Sequence, residues 1–386
     1  MKKRIINSAL LILFVFFLSC GAPSPELKLN YFDQASLRSE KIRLCVLHPS
    51  YSSLNSLINL KESGIFGDEH LEVVGVFHEQ ERTDYRNSFD LVRVNNLDWI
   101  KFHQLKGNLH KDNLFQKNDL TSEFEKIISK SDGIIFFGGA DIPPYIYGEK
   151  TNLLTSIRTP MRHFLELSFV FHLLGGYQNS DLIPLLESCP DFPVLGICLG
   201  EQTLNIGTGG RMIQDIWSEK YGKKFLEEVM ALSQDNWHTN PYSRLYPEKN
   251  LFPYNLHPIK LTPEGMFVER FGYSAQETPL ICSSHHQAVD ELGKGMEVCA
   301  TTLDGQIIEA IQHKKYQNVL GIQFHPEFPL LWDPEASYLF LPQDEKEFTP
   351  LETLKNSPPS FSFHKKIWSW FYNSLQEVHE NRIEEK

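Results

Sequence analysis

Three short stretches of the 386-residue chain hold residue types that do chemistry together. In Gly196-Ile197-Cys198-Leu199-Gly200-Glu201-Gln202 a cysteine stands between two glycines at the end of an apolar run that begins at Phe192. Glycine on both sides lets the backbone turn without Cβ clashes, so a strand can end and a helix begin around one residue. Such a turn lifts the thiol out of the sheet. It also sets the sulfur against the first N–H groups of the helix, whose partial positive charge favours thiolate and can hold an oxyanion. The same pattern suits a buried structural cysteine, since free cysteine is among the most buried residue types. Far downstream, His325-Pro326-Glu327 closes another apolar run. On extended backbone, positions two apart face the same way. Glu327 can therefore fix the tautomer of His325 and stabilise its imidazolium, as an acid–base histidine serving a thiolate requires. Third, Gly138-Gly139-Ala140-Asp141 follows a strand-like run and offers backbone N–H groups at a sheet edge.

These residues need a scaffold that brings strand ends together. Apolar runs at 42–47, 71–77, 133–137, 192–197 and 319–324 read as buried strands, with helical patterns at 53–60 and 120–129. Segments 160–175 and 178–190 read as surface helices leading back to the cysteine strand. The alternation predicts an α/β domain, a parallel sheet wrapped by helices. Residues 79–120 are polar and poorly periodic and read as a decorated connection. From 211 to 256 no period is clear. His238 and His257 fall there without i, i+4 pairing or a cysteine partner, so they read as structural and no metal is expected. Strand-like segments at 279–283 and 296–301 flank the polar cluster Ser283-Ser284-His285-His286-Gln287. Residues 329–360, rich in proline, read as an irregular excursion. Phe363, Ile367, Phe371, Leu375 and Val378 then form one apolar helix stripe that should dock on the sheet.

A net charge of −12, without any basic run interleaved with aromatics, excludes a nucleic-acid partner. The 41% hydrophobic content is ample for a core. Lys2, Lys3 and Arg4 precede an apolar block at 9–18, shorter than the roughly 20 residues a membrane-spanning helix needs. It has the form of a secretory signal. The block ends in Leu18-Ser19-Cys20-Gly21, which resembles the lipobox of bacterial lipoproteins. The resemblance implies a signal peptide at 1–19, lipidation at Cys20, a flexible tether at 20–40 and a chain anchored in the cell envelope. Five further cysteines leave at least one free thiol, for which Cys198 is the candidate.

Taken in order, the diglycine-Asp loop, the cysteine turn, Gly209-Gly210 to Gln214-Asp215, His257-Pro258-Ile259, Ser284-His285-His286-Gln287-Ala288-Val289 and Gly321 to Glu327 resemble the class I glutamine amidotransferase-like superfamily. Within it the chain looks most like the gamma-glutamyl peptidases and hydrolases. The resemblance implies a single three-layer α/β/α, flavodoxin-like domain at 41–380 with a mostly parallel central sheet, carrying insertions at about 79–120, 145–190 and 329–360. It implies Cys198 as nucleophile, His325 as base and then acid, and Glu327 as the orienting carboxylate. The backbone N–H groups of Leu199 and Gly139 would meet the oxyanion, Gln202 would contact the glutamyl portion, and His286 and Gln287 would lie at the mouth. The expected reaction is hydrolysis of a gamma-glutamyl amide through a thioester, without cofactor. Leu199 and Glu201 depart from the Arg and His frequent in the gamma-glutamyl-GABA branch, which puts that substrate in doubt. Two other functions stay open on the same fold: a glutaminase subunit feeding a separate synthase, and a silent binding lipoprotein.

Overall fold

The computed structural model describes residues 27–36 and 39–384. The signal peptide expected at 1–19 and the expected lipidation site, Cys20, lie outside the described residues. Among the described residues twelve strands are formed: β1 (Ile42–Leu47), β2 (Leu71–His78), β3 (Ile100–Leu105), β4 (Gly133–Phe136), β5 (Val194–Ile197), β6 (Met212–Ile213), β7 (Asn255–Leu261), β8 (Leu280–Ser283), β9 (Ala288–Val289), β10 (Met296–Thr302), β11 (Ile308–His313) and β12 (Val319–Ile322). Ten make one sheet in the order β3-β2-β1-β4-β5-β12-β11-β10-β7-β8, and β6 pairs with β9. The first six of that order are parallel. An antiparallel wing continues from β12. Parallel strands buried on both faces should be continuous apolar runs, and β1, β4, β5 and β12 are buried at every residue.

Helices cover both faces, as the three-layer expectation requires. On one side lie α2 (Tyr51–Glu62) and the last helix, Ser360–Glu384, whose Phe363, Ile367, Phe371 and Leu375 are fully buried in the same apolar cluster as β1. On the other lie α4 (Thr121–Lys130), α5 (Pro160–Leu174) and α6 (Leu199–Gly207).

Several local expectations are corrected. Residues 27–36, read as tether, hold the short helix α1 (Tyr31–Gln34) and cover the edge of the sheet. Phe32 is fully buried, and the Gln104 N–H donates to the Leu29 carbonyl at 2.8 Å. An exposed sheet edge is a site of unwanted pairing, and this segment closes it. Residues 79–120 contain α3 (Arg86–Val94) and the edge strand β3. The alternation of β3 is broken by His103, a polar residue that is buried because the Phe32 N–H caps its Nδ1 at 3.3 Å. The helix α5 is no surface helix: twelve of its fifteen residues are buried. Phe169 stacks on Phe124 at 4.3 Å between ring centres, and Phe171 meets Phe115, so a second layer covers its outer face. Of the helix expected at 178–190 only the turn Leu185–Glu187 forms. The excursion at 329–360 includes a helix at Pro350–Lys355.

Candidate active site

The three chemistry-bearing stretches fall at the carboxyl ends of β4, β5 and β12, which are neighbours in the sheet. Open α/β sheets place ligands at that edge. Between the end of β5 and the first residue of α6 there is only Cys198, at φ 54° and ψ −106°. Left-handed backbone is strained for a residue with a Cβ and persists only where its surroundings enforce it. Here the Cys198 N–H donates to the Ile322 carbonyl at 2.7 Å, tying the turn to β12. The two glycines are steric necessities. A Cβ on Gly196 would lie 2.6 Å from the Gly200 carbonyl, and one on Gly200 only 2.1 Å from the Phe136 oxygen.

His325 Nδ1 lies 2.7 Å from Glu327 Oε1, and both side chains are buried. With Nδ1–H given to the carboxylate, the other ring nitrogen is left free for the neighbouring Cys198. Burial alone would lower the imidazole pKa. The neighbouring Glu327 and Cys198 outweigh it and raise the value to about 10. The ring is therefore protonated at neutral pH and can hand a proton to a leaving nitrogen. Three residues that sequence reasoning missed hold this arrangement. Phe328 stacks on the His325 ring at 4.1 Å and 11°. Trp332 and Trp368 both donate their indole N–H to the Pro326 carbonyl, at 3.0 and 3.2 Å. Trp368 belongs to the last helix, forty-two residues away from the proline.

The diglycine loop lies against the pair: a Cβ on Gly138 would come within 3.1 Å of His325 Cε1 and 3.5 Å of Cys198 Cβ. Behind the loop stands Arg162 of α5, also missed. Its Nη2 donates to the Phe137 carbonyl at 2.7 Å and the Gly138 carbonyl at 3.2 Å, while Nε donates to Glu166 at 2.9 Å. A trans peptide directs its C=O and N–H to opposite sides. Anchoring the Gly138 carbonyl on Arg162 thus turns the Gly139 N–H away from the guanidinium. The Leu199 N–H, in the first turn of α6, has no acceptor within its own helix. The signal for Arg162 was in the sequence: two charges four apart in an apolar helix are rarely buried unless they pair. Burial raises the Glu166 pKa to about 7 against the pull of Arg162.

The remaining expected residues divide. His286 is held to the diglycine loop, its Nε2 3.1 Å from Asp141, and its Nδ1 lies 3.4 Å from Asp215. Burial lowers its pKa, but the two carboxylates raise it further, to about 9, so the ring is cationic at neutral pH. Gln287 is buried and donates to the Gln214 carbonyl at 3.1 Å, so it supports the loop. Gln202 is likewise buried and donates to Gln323 at 3.1 Å; its amide is turned into the protein. All five described cysteines are free thiols. Burial pushes the Cys45, Cys282 and Cys299 thiols up, which leaves them inert.

A mostly parallel sheet with an elbow cysteine and a strand-end histidine defines a cysteine-type hydrolase or amidase of the class I glutamine amidotransferase-like superfamily. Residues 114–327, more than half of the chain, match the Peptidase C26 family, and the chain belongs to that family. It is 28% identical over 217 residues to a glutamine amidotransferase-like protein of Lactococcus lactis, covering 56% of this chain and 74% of that protein. It is 29% identical over 215 residues to another so named in Rickettsia prowazekii, covering 51% and 70%. With an anthranilate synthase beta subunit of Arabidopsis thaliana it shares 28% identity over 159 residues, covering 40% of this chain and 45% of that subunit.

Proposed function

We propose that the chain hydrolyses gamma-glutamyl amide bonds and that it does so anchored in a bacterial cell envelope through a lipid on Cys20. The observation that carries the catalytic reading is the protonated His325, held by Glu327 at 2.7 Å, next to Cys198 at the strand-to-helix turn. The Cys198 sulfur attacks the amide carbonyl, forming a C–S bond, and the oxyanion is met by the N–H groups of Leu199 and Gly139. His325 gives its proton to the departing nitrogen as the C–N bond breaks, leaving a thioester. Neutral His325 then takes a proton from water, whose oxygen attacks the thioester, and the thiolate and imidazolium return.

The rim supports an anionic substrate. Beside His286 opens a cavity of about 470 Å³ whose wall includes Lys223, Lys224 and Arg244, with Trp217 and Phe225 as apolar surface. In a chain of net charge −12, three cationic side chains gathered there favour carboxylates, such as those of a gamma-glutamyl peptide. Envelope anchoring draws on the Lys2-Lys3-Arg4 start, the apolar block and Leu18-Ser19-Cys20-Gly21.

The test is chromophore release from a gamma-glutamyl anilide by the chain and by Cys198→Ala, followed by gamma-glutamyl peptides and glutamine. Turnover lost in Cys198→Ala is expected. A folded chain that binds these compounds and turns over none would overturn the reading. Ammonia release from glutamine and from no other compound would favour the glutaminase subunit instead. Radiolabelled palmitate incorporated by the wild type but not by Cys20→Ala tests the anchor.

A further inference from the structure

Four buried side chains that the proposed reaction does not use converge in the antiparallel wing. They are His238, His257 on β7, His285 beside His286, and Glu309 on β11. One ring nitrogen from each histidine and a carboxylate oxygen all lie within 4.8 Å of one another. His238 Nδ1 is 3.3 Å from His285 Nε2 and 3.4 Å from Glu309 Oε1. Glu309 Oε1 is 3.8 Å from His257 Nε2 and 3.7 Å from His285 Nε2. Ligand bonds of about 2.0–2.2 Å to a tetrahedral ion place the ligand atoms about 3.3–3.6 Å apart. The two spacings at His238 fall in that range, and those from Glu309 to His257 and His285 exceed it by 0.1–0.2 Å while being too long for hydrogen bonds.

The outer contacts aim the ligands. His285 Nδ1 lies 2.9 Å from the Gln287 carbonyl and His257 Nδ1 3.3 Å from the Pro258 carbonyl. Each gives its N–H outward and turns the Nε2 lone pair inward, the arrangement that orients metal-binding histidines. His238 is held at φ 55°, a strained value for a residue with a Cβ. Protein groups alone leave the cluster unsatisfied: both oxygens of Glu309 and Nε2 of His257 are buried without a hydrogen-bond partner. Native interiors rarely tolerate such orphans. Neutral imidazole is the form that binds metal. Glu201 of α6 adds a second buried carboxyl within the field of Glu309, and its oxygens also lack partners.

We propose that His238, His257, His285 and Glu309 bind one zinc(II) ion as a closed structural centre. Three nitrogens and one oxygen in a tetrahedron suit zinc, and four protein ligands with side chains 0–2% exposed leave no open position for catalysis. The ion would tie β7 and β11 to the loop that carries His286, bracing the mouth from below. Together with Glu309, Glu201 would supply the two negative charges that balance it.

The purified full-length chain, its metal content measured by mass spectrometry, is expected to hold about one zinc per chain. His257→Ala and Glu309→Gln should each lose at least about nine-tenths of it, whereas His103→Gln, at the other His-carboxylate group, should keep it. Chelation should lower the thermal midpoint and added zinc should restore it. Cobalt(II) in place of zinc should give the intense visible bands of a tetrahedral site, a readout that decides the matter even if the variants do not fold. A folded wild-type chain without zinc, and indifferent to zinc and chelator, overturns the proposal. So does zinc retained in both ligand variants, or a weak octahedral cobalt spectrum.

Discussion

Arg162 offers the sharpest test of how the site meets charge developing on the substrate. Its guanidinium holds the carbonyls of Phe137 and Gly138 at 2.7 and 3.2 Å and thereby aims the Gly139 N–H. Replacing it by methionine removes both contacts but leaves the N–H in place and free to swing. Deleting an oxyanion donor outright costs about 10²–10³ in kcat, so losing its aim should cost about 10–10², or about 1.4–2.7 kcal/mol. The single change would strand Glu166 in the interior, and breaking a buried pair costs about 3–5 kcal/mol of stability. The informative variant is therefore Arg162→Met with Glu166→Gln, which removes both charges. Steady-state turnover of a gamma-glutamyl anilide should show kcat reduced with KM nearly unchanged, because the contact strengthens in the transition state. Alkylation of Cys198 by iodoacetamide should keep its wild-type rate, since His325 and Glu327 are untouched. Arg162→Lys, which can still donate to both carbonyls, should recover part of kcat. A folded double variant with kcat within about twofold of wild type refutes the argument. An alkylation rate that falls together with kcat would show that Arg162 acts on the thiol instead.

The folded pKa of His325, about 10, lies above the ordinary histidine value of 6.5. Its ion pair therefore stabilises the fold fully below about pH 6.5, and that contribution is lost as pH rises through about 10. Since the leaving amine needs the same proton, kcat/KM should fall on the alkaline side near pH 10, and Glu327→Gln should move that limb toward neutrality. Gly200→Ala should cost more than about 2 kcal/mol in urea unfolding, because its Cβ would lie 2.1 Å from the Phe136 oxygen with no flexible side chain to yield. A loss below about 0.5 kcal/mol would mean the turn is looser than described. Lys223→Glu with Lys224→Glu should raise KM for gamma-glutamyl peptides more than for the anilide, which lacks the peptide's C-terminal carboxylate, and added salt should narrow the difference. Equal effects on both substrates would remove the rim from substrate choice.

Local chemistry is where the sequence spoke clearly. The glycines around Cys198 encode a turn that no other residue type can make, and the spacing of His325 and Glu327 places them on one face of extended backbone. Apolar runs at β1, β4, β5 and β12 announced a buried parallel sheet because strands covered on both faces have no polar side to show. What stayed hidden depends on partners distant in the chain. The run at β3 was unreadable because His103 is buried only once α1 caps it. The helix α5 passed for a surface helix because its cover, from α4 and residues near Phe115, is supplied by packing. Trp368 gains a role only when the last helix folds onto the end of β12. His238, His257, His285 and Glu309 have no common spacing at all. Hydrogen-bond geometry and burial act through space, so a constellation gathered from four separate segments becomes visible only when the sheet order is known.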